Sequence, residues 1–414
     1  MQSVHFIGIG GVGMNGLAQL AVQSKYLVSG SDRAYTPEAE PFCNLEKLGI
    51  KIYPQDGSGI TDKISVVVFS TAIETDNPDL VKAREFNIPL LHRSEFLKDL
   101  VGDDELIAVA GTAGKTTTTG ILGWVFECLG KDPSVYNGAA VLNWKTSSAL
   151  GNIRRGSSNL WIIEVDESDR SLLNFKPTHS IITNISKDHY ELDELYTMFN
   201  QFEQQTSGIT IRGSSLENPQ IKIPMPGTHN KKNAQCVLEL CQELGLDCDR
   251  VLDAILKFKG IERRLEIVGE ANGITVIDDY AHNPAKISAA LSAIAGIYET
   301  VHAFWRPHGY APLFNGLEEF TEVFTQHWKK HGGSIFILPV YYVGGTVNRT
   351  VSAEDLIKRL NSAGVPAEAV QDYGVLQNKL KARASAGDAI LGMGARDPEL
   401  PLFAKRLLNT WKIS

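Results

Sequence analysis

Short apolar runs alternate with helix-like segments along the chain, in three successive cycles. In the first cycle, Val4–Ile9, Tyr26–Gly30 and Ser65–Ser70 are predicted strands, and Asn15–Ser24 is a predicted helix. The run SVVVFS at Ser65–Ser70 lacks polar–apolar alternation, which is typical of a strand buried on both faces of a parallel sheet. A regular alternation of strands and helices predicts parallel sheets.

The second cycle begins with the apolar run LIAVA, Leu106–Ala110, and the third begins near Gly273. Further strands are predicted at Leu160–Glu164, Ser180–Asn184, Ile274–Ile277, Val301–Trp305, Ser334–Pro339 and Ala389–Met393. Polar junctions separate predicted domains at residues 1–101, 102–260 and 261–414. The expected fold is three α/β domains in series: a Rossmann-like domain, a central P-loop ATPase-like parallel sheet, and a second Rossmann-like domain.

Composition excludes several classes of function. The 414 residues carry a net charge of -8 and no Lys/Arg-rich run, so neither nucleic acid nor an anionic membrane surface is an expected partner. The sequence contains no run of about 18 apolar residues, so no membrane span is expected. The N-terminus does not resemble a signal peptide. The five cysteines form no C-x-x-C pair and suggest reduced thiols in the cytoplasm.

Two glycine-rich stretches follow predicted strands and precede predicted helices. Gly8–Gly13 matches G-x-G-x-x-G, with Asp32 about 20 residues on, as in dinucleotide-binding folds. A tight turn that needs glycine would explain this stretch equally well. The second stretch, AVAGTAGKTTTTG at Ala108–Gly120, has its glycines too close together for the usual G-x-x-x-x-G-K-S/T loop. Its lysine and threonine still suit a phosphate and its Mg²⁺.

Acidic and imidazole groups follow the next strands. Glu164 ends one strand, within EVDESD, and His189 follows the next, within NISKDH. Carboxylates suit Mg²⁺, and parallel strands bring their carboxyl ends to one edge. A solvated acidic loop and a structural histidine are the alternative explanations. Likewise, an N-cap or a turn would explain DDYAHNP at Asp278–Pro284 and HNKKN at His229–Asn233.

Taken together, these segments resemble the Mur ligase family of ATP-dependent amide ligases. The family's short phosphate loop, G-T/S-x-G-K-T/S, is similar to Gly111–Thr116 and explains the compressed spacing. The other matching segments, in the family's order, are HFIGIGGVGMNGLA, VSGSD, EVDESD, NISKDH, GTHNKKN, GIERRLE, DDYAHNP and GDAILGMGA. The first segment and EVDESD are closest to the branch whose members use L-alanine or a murein tripeptide.

The resemblance implies an enzyme that joins an amino acid to the carboxylate of UDP-N-acetylmuramate, and L-alanine is the first candidate for that amino acid. The reaction would pass through an acyl phosphate and use ATP and Mg²⁺. The implied UDP-sugar site consists of Gly10, Gly11, Gly13, Ser31, Asp32, Ser70 and Thr71. The implied ATP site consists of Gly111, Thr112, Ala113, Gly114, Lys115, Thr116, Thr117, Asn230, Asn233, Arg264 and Asp279. The implied Mg²⁺ ligands are Thr116, Glu164 and His189. The implied catalytic residues are Lys115, His189, Arg264 and His282.

The chain departs from the family pattern in three places. The phosphate loop has Ala113 where the alanine ligases carry histidine. Gly309 and Pro312 stand where those enzymes have two arginines, and Arg306 is a displaced candidate. The segment Phe202–Pro226 is short, so the central domain is expected to be trimmed, with one or two strands there, at Gly208–Arg212 and Gln220–Ile223.

The alternatives are a ligase of the same family for a preformed peptide or another amine, and a nucleotide-binding relative without activity. An NAD-dependent dehydrogenase is a third, suggested by the first glycine stretch alone. A monomer or a weak homodimer is expected.

Overall fold

A computed structural model describes residues 2–186, 190–216, 219–342 and 351–412. Its strands form three sheets, one in each predicted domain. The chain divides into two compact units. Unit 1 comprises Met1–Pro224 and Asn230–Ile261 and holds the first two sheets, and unit 2 comprises Met225–His229 and Glu262–Ser414 and holds the third.

The first sheet is fully parallel and has five strands in the order β3-β2-β1-β4-β5. Its strands are β1 Ser3–Ile7, β2 Leu27–Ser31, β3 Lys51–Tyr53, β4 Val66–Phe69 and β5 Leu90–His92. The accompanying helices are α1 Val12–Gln23, α2 Phe42–Lys47, α3 Pro78–Glu85 and α4 Arg93–Val101. The central strands β1 and β4 bury Phe6 and Val67, as the apolar runs predict.

The second sheet has six strands in the order β11-β10-β6-β9-β7-β8, and only the β7–β8 pair is antiparallel. Its strands are β6 Glu105–Ala110, β7 Ser134–Tyr136, β8 Ile153–Arg154, β9 Leu160–Glu164, β10 His179–Ile182 and β11 Thr210–Arg212. The helices of this part are α5 Lys115–Cys128, α6 Leu192–Gln205, α7 Thr228–Glu243 and α8 Cys248–Leu256.

The strand predicted at Gln220–Ile223 does not form, and this prediction is wrong. Pro219 and Pro224 flank the segment, and proline offers no backbone N–H to a neighbouring strand. The strand predicted at Gly208–Arg212 forms as the three-residue β11.

One continuous apolar core explains why the first two sheets belong to the same unit. It includes Phe6 and Phe96 beside the first sheet and Trp161 and Phe199 beside the second. Burial of apolar surface stabilises by roughly 25 cal/mol per Å², so a shared core holds the two sheets together.

The third sheet has six strands in the order β12-β13-β17-β14-β15-β16, and only the edge pair β12–β13 is antiparallel. Its strands are β12 Glu266–Ala271, β13 Ile274–Asp279, β14 Val301–Trp305, β15 Ile335–Ile337, β16 Ala367–Ala369 and β17 Ala389–Met393. The helices are α9 Pro284–Ile294, α10 Tyr310–Asn315, α11 Leu317–His331, α12 Ala353–Ser362, α13 Tyr373–Arg383 and α14 Glu399–Lys412.

The two edges of the third sheet are irregular or short. The register of β12 shifts between Ile267 and Gly269, a bulge that faces the partner strand β13. At the opposite edge, β16 has only three residues, and its Glu368 forms ion pairs with Lys379 and Arg383.

None of the described helices combines the length and the apolar character that crossing a bilayer requires.

Candidate active site

The compressed glycine loop joins β6 to α5 and is held in a shape that needs glycine. Gly111 has φ +135° and Gly114, the N-cap of α5, has φ +83°. A methyl group on Gly114 would lie 2.5 Å from Oδ1 of Asn233, and one on Gly111 would lie 2.0 Å from Oγ1 of Thr183. Both glycines are therefore fixed by backbone conformation and by crowding. The loop leads into the N-terminus of a 14-residue helix, which favours an anion.

The loop lysine lies among carboxylates. Nζ of Lys115 lies 2.6 Å from Oε2 of Glu167 and 4.0 Å from Oδ1 of Asp166, and it donates to the Gly111 carbonyl oxygen at 2.7 Å. Burial acts to lower the pKa of Lys115, but the charges of Glu167, Asp166 and Glu164 outweigh it and raise that pKa.

The pKa of Glu167 is also raised, because the effect of burial on it exceeds the attraction of Lys115. A raised pKa of Lys115 favours the ionised pair, whereas a raised pKa of Glu167 disfavours it. The direct contact, with three carboxylates around one ammonium, favours a charged Lys115.

Thr116 and Glu164, two of the predicted Mg²⁺ ligands, are in direct contact. The Thr116 hydroxyl donates to Oε1 of Glu164 at 3.0 Å, and the Gly138 amide donates to Oε2 at 2.8 Å. A hydroxyl and a carboxylate are hard oxygen donors that suit Mg²⁺. Among the described residues, no group of three or more His, Cys, Asp or Glu side chains could hold a metal ion. The third predicted ligand, His189, lies outside the described residues.

Asn184 supports the loop, a role that the sequence did not reveal. Its Oδ1 accepts the Thr112 hydroxyl and the Ala113 amide, each at 2.9 Å. The Ser186 hydroxyl lies 2.8 Å from that of Thr112. The segment NISKDH therefore contributes its first residue, Asn184, to the shape of the phosphate loop.

The two asparagines of α7 are buried in unit 1. Asn233 lies against Gly114, as the crowding at that glycine shows, and Asn230 is 4% exposed. Thr117, one turn into α5, is also buried, at 5% exposure. Asn230 and Asn233 remain predicted contacts on the adenine side of the nucleotide.

The first glycine stretch joins β1 to α1, and Asp32 reaches into it. Oδ2 of Asp32 accepts the Gly10 amide at 2.8 Å, and Oδ1 accepts the Ala34 amide at 2.8 Å. The Ser31 carbonyl accepts the amides of Gly8 and Ile9 at 2.8 and 3.0 Å. Strand β2 therefore fixes the loop through its last residue and the one that follows.

The remaining predicted UDP-sugar residues differ in placement. Ser31 is fully buried, and its hydroxyl donates to Asp79 instead of facing the loop. Gly11 is the N-cap residue of α1. Ser70 and Thr71 directly follow β4, which lies beside β1, and they are half-buried and exposed respectively.

Arg93 lies between the first glycine stretch and the acidic segment after β9, and no motif pointed to it. Its Nη2 lies 2.9 Å from Oδ2 of Asp169 and 3.3 Å from Oδ2 of Asp166, in the acidic segment after β9. Its Nη1 lies 3.3 Å from the position of a methyl group on Gly13. The Tyr136 hydroxyl donates to the Gly13 carbonyl oxygen at 3.0 Å, and burial raises the pKa of Tyr136 to about 12.

Unit 2 brings three predicted residues together around Tyr280. The Asp279 carboxylate accepts the amides of Leu265 and Ala281, each at 2.7 Å. The guanidinium of Arg264 lies 5.1 Å from the centre of the Tyr280 ring. The His282 ring lies 5.6 Å from the same ring, and its Nδ1 is 2.9 Å from the Tyr280 carbonyl oxygen.

The displaced candidate Arg306 is already paired. Its Nη1 donates to Oδ2 of Asp397 at 2.7 Å, and the same oxygen accepts the Tyr373 hydroxyl. Its guanidinium also lies 5.3 and 5.4 Å from the ring centres of Tyr341 and Tyr373. Because the guanidinium of Arg306 already has these partners, it does not replace the arginines that are missing at Gly309 and Pro312.

Comparisons with known proteins agree with this geometry. Residues 3–104 match the model of the Mur ligase family catalytic domain, residues 109–204 match the Mur ligase middle domain, and residues 263–396 match the Mur ligase glutamate ligase domain. The chain belongs to the Mur ligase family. The predicted family and the predicted three-domain α/β architecture are therefore confirmed.

Particular relatives are similar over the full chain. UDP-N-acetylmuramate–L-alanine ligase of Caulobacter vibrioides is 30% identical over 455 aligned positions, which cover 95% of this chain and 93% of the relative. The crystal structure of UDP-N-acetylmuramate-alanine ligase from Thermotoga maritima has a TM-score of 0.82 at 25% identity and covers 99% of each chain.

A murein peptide ligase from Psychrobacter arcticus shares the fold, with a TM-score of 0.67 at 21% identity; that comparison covers 100% of this chain and 99% of the ligase. The 455 aligned positions with the Caulobacter relative exceed the 414 residues of this chain, so the relative has segments without a counterpart here. This agrees with a trimmed chain.

Proposed function

We propose that this protein is an ATP-dependent, ADP-forming ligase that joins L-alanine to the carboxylate of UDP-N-acetylmuramate, in the synthesis of peptidoglycan precursors. The observation that carries the proposal is the arrangement of Lys115, Thr116 and Glu164 at the end of a compressed glycine loop. Relatives named for this reaction at 30% identity support the choice of substrates. The five cysteines are free thiols, which fits the proposed location in the cytoplasm.

The first chemical step forms an acyl phosphate. A substrate carboxylate oxygen attacks the γ-phosphorus of ATP, the bond from that phosphorus to the bridging oxygen breaks, and ADP leaves. Lys115 would leave Glu167 for the phosphate oxygens and neutralise the charge that they carry. Thr116 and Glu164 would hold Mg²⁺, with His189 as the predicted further ligand. Bound Mg²⁺ supplies charge neutralisation and orientation of the phosphates.

The second step forms the amide bond. The amine nitrogen attacks the acyl carbon, phosphate leaves with the oxygen it gained, and the nitrogen loses a proton. We assign Arg264, Asp279 and His282 to this ligation machinery. The UDP-sugar would bind at Gly10, Gly11 and Gly13 with the help of Asp32, Ser70 and Thr71.

A second candidate within the family is a ligase for a preformed peptide. Gly309 and Pro312 favour it, because two guanidinium groups that would grip a small amino acid are absent at these positions.

Phosphate release from ATP, Mg²⁺ and UDP-N-acetylmuramate tests both candidates. The amines to compare are L-alanine, other amino acids and L-Ala-γ-D-Glu-diaminopimelate. Release that requires L-alanine supports the first candidate, and release only with the tripeptide supports the second. No release with any amine, together with tight ATP binding, would contradict both and favour an inactive relative.

The variant Lys115→Ala checks the assignment of the two loops. Turnover should be lost while UDP-N-acetylmuramate still binds, because Lys115 serves the phosphate loop and the UDP-sugar loop follows a different strand. Loss of both would contradict the assignment of one loop to each nucleotide.

A further inference from the structure

Three neighbouring strands of unit 2 end level with one another. In the parallel register, Met393 at the end of β17 pairs with Asp279 at the end of β13 and with Trp305 at the end of β14. The third residue after each strand end is then His282, His308 or Arg396. The topology therefore brings two imidazoles and one guanidinium to the same edge of the sheet.

The two histidines are in direct ring contact, and Arg396 acts on one of them. The ring centres of His282 and His308 lie 4.9 Å apart, nearly perpendicular. Burial lowers the pKa of His308 to about 4, with further lowering by the charges of Arg396 and Lys286. Burial and the charge of Lys286 likewise lower the pKa of His282 to about 4. At neutral pH this edge therefore presents two uncharged imidazoles, with the cations Arg264, Lys286 and Arg396 near them.

The acidic groups nearby already have partners. The Asp278 carboxylate lies 3.0 Å from Nε of Arg263. Asp279 accepts two backbone amides, and Asp397 accepts Arg306 and Tyr373. Within the part of the chain that the structure describes, Arg396 has neither a hydrogen bond nor an ion pair, and its side chain is exposed.

Backbone conformation at Arg396 is unusual for an arginine. Its φ of +65° lies in the left-handed region, which glycine adopts freely and L-residues other than asparagine and aspartate seldom adopt. Such a conformation persists where the surroundings fix it, and it is frequent at ligand sites. The residue that follows Arg396 is Asp397, and its carboxylate is held by Arg306 and Tyr373.

We propose that Arg396 binds the carboxylate of the amine substrate, in place of the guanidinium groups that are absent at Gly309 and Pro312. The proposal rests on the proposed ligase function and narrows it to an amine that carries its own carboxylate, as an α-amino acid does. The neutral histidine pair is suited to accept hydrogen bonds from the substrate ammonium. Arg396 is thus a determinant of specificity that touches substrate and not ATP.

Steady-state kinetics of Arg396→Gly and Arg396→Lys test the proposal, with the amine that the wild-type protein uses. Glycine accepts φ +65° without strain, so Arg396→Gly should fold. We expect its KM for the amine to rise about tenfold to a hundredfold, as for loss of a hydrogen bond to a charged group. The KM values for ATP and UDP-N-acetylmuramate should change less than twofold. Arg396→Lys should recover part of the loss, since it restores a point charge but not a fork.

The amide of the same amine supplies the sharper readout. Wild-type protein should discriminate against L-alaninamide relative to L-alanine, and Arg396→Gly should lose most of that discrimination. Arg359→Ala, which removes an exposed arginine on α12, is the matched control and should retain wild-type discrimination. Full discrimination in Arg396→Gly would overturn the proposal.

Equilibrium binding separates failure of this proposal from failure of the proposed function. L-Alanine binding, measured by NMR in the absence of ATP, should be present in the wild-type protein and lost in Arg396→Gly even if no ADP forms. Equal binding by the two proteins, or no binding by either, would overturn the role of Arg396. Absence of ADP with every amine, alongside binding that depends on Arg396, would instead overturn the ligase function.

Discussion

Nζ of Lys115 lies 2.6 Å from Oε2 of Glu167, so the lysine of the phosphate loop is held by a buried carboxylate of the same chain. Both partners are largely withdrawn from water, with side-chain exposures of 13% and 3%. A phosphate that takes Lys115 must therefore compete with Glu167, and it leaves that carboxylate buried without its cation. Such unpaired buried charges are costly.

Glu167→Gln should therefore tighten the binding of ATP. An amide oxygen still accepts a hydrogen bond from Lys115, but without charge assistance, which lowers the cost of releasing the lysine by about 1 kcal/mol. We expect the Kd for a non-hydrolysable ATP analogue with Mg²⁺ to fall about fivefold. Isothermal titration calorimetry measures this change.

Glu243→Gln is the control, because Glu243 is an exposed carboxylate at the last residue of α7. Its Kd should equal that of the wild-type protein. Weaker ATP binding by Glu167→Gln would show that Glu167 assists the nucleotide and does not compete with it.

Gly114→Ala should abolish nucleotide binding through crowding. The added methyl group would lie 2.5 Å from Oδ1 of the buried Asn233, in addition to the strain of φ +83°. Gly130→Ala carries comparable strain at φ +75°, but nothing lies within 4 Å of its methyl group. Each should lose about 1 kcal/mol of stability from backbone strain. Calorimetry should show ATP binding in Gly130→Ala alone, and binding by both would mean that the loop tolerates displacement of Asn233.

Tyr136→Phe and Arg93→Ala test the contacts of two side chains that lie beside the first glycine stretch. Tyr136→Phe removes one hydrogen bond to the Gly13 carbonyl oxygen, and we expect a loss of about 1 kcal/mol in the free energy of unfolding. Arg93→Ala leaves Asp166 and Asp169 without their shared cation, and about 3 kcal/mol is expected. Urea denaturation measures both, and equal losses would contradict the assigned contacts.

The histidine pair predicts a dependence of stability on pH. Burial lowers the pKa of His282 and of His308 from 6.5 to about 4, so the unfolded chain binds protons more readily than the folded one. Their contribution to stability is therefore complete above pH 6.5 and is lost as the pH falls through about 4. The urea midpoint should decrease between pH 7 and pH 5.

A double variant, His282→Asn with His308→Asn, isolates this effect. Its midpoint should decrease less over the same pH interval, while His5 and His327, which have similarly lowered pKa values, contribute equally to both proteins. An identical decrease in the two proteins would assign the pH dependence to other groups.

Local patterns predicted most of the fold correctly. The strands Leu160–Glu164, Val301–Trp305 and Ala389–Met393 form with the predicted bounds, because continuous apolar runs between polar ends leave little freedom. The helix predicted at Asn15–Ser24 begins earlier, at Val12, so the last two residues of the glycine stretch, Val12 and Gly13, belong to its first turn. Short edge strands such as β16 carry too little apolar sequence to be recognised.

The sequence predicted the residues of the candidate site that lie within a recognisable motif or directly after a predicted strand. Lys115, Thr116 and Glu164 belong to a loop and a strand end that lie side by side, because β6 and β9 are neighbours in one sheet. Arg93 was not predictable, because Asp166 and Asp169 lie more than 70 residues further along the chain. The three side chains meet only when the first two sheets pack together. The burial of Ser31 was not predictable either, since Ser31 lies on strand β2 and its partner Asp79 lies on helix α3, 48 residues further along the chain.

The irregular edges of the third sheet affect how copies of this chain can associate. An uninterrupted edge strand offers a row of unpaired amides and carbonyls to which another chain can add. The bulge in β12 bends one edge, and the other edge is three residues long and carries the ion-paired Glu368. Growth of a continuous sheet from chain to chain is therefore disfavoured at both sides. Two copies that associate through this sheet would therefore have to do so through side-chain contacts and not by adding strands.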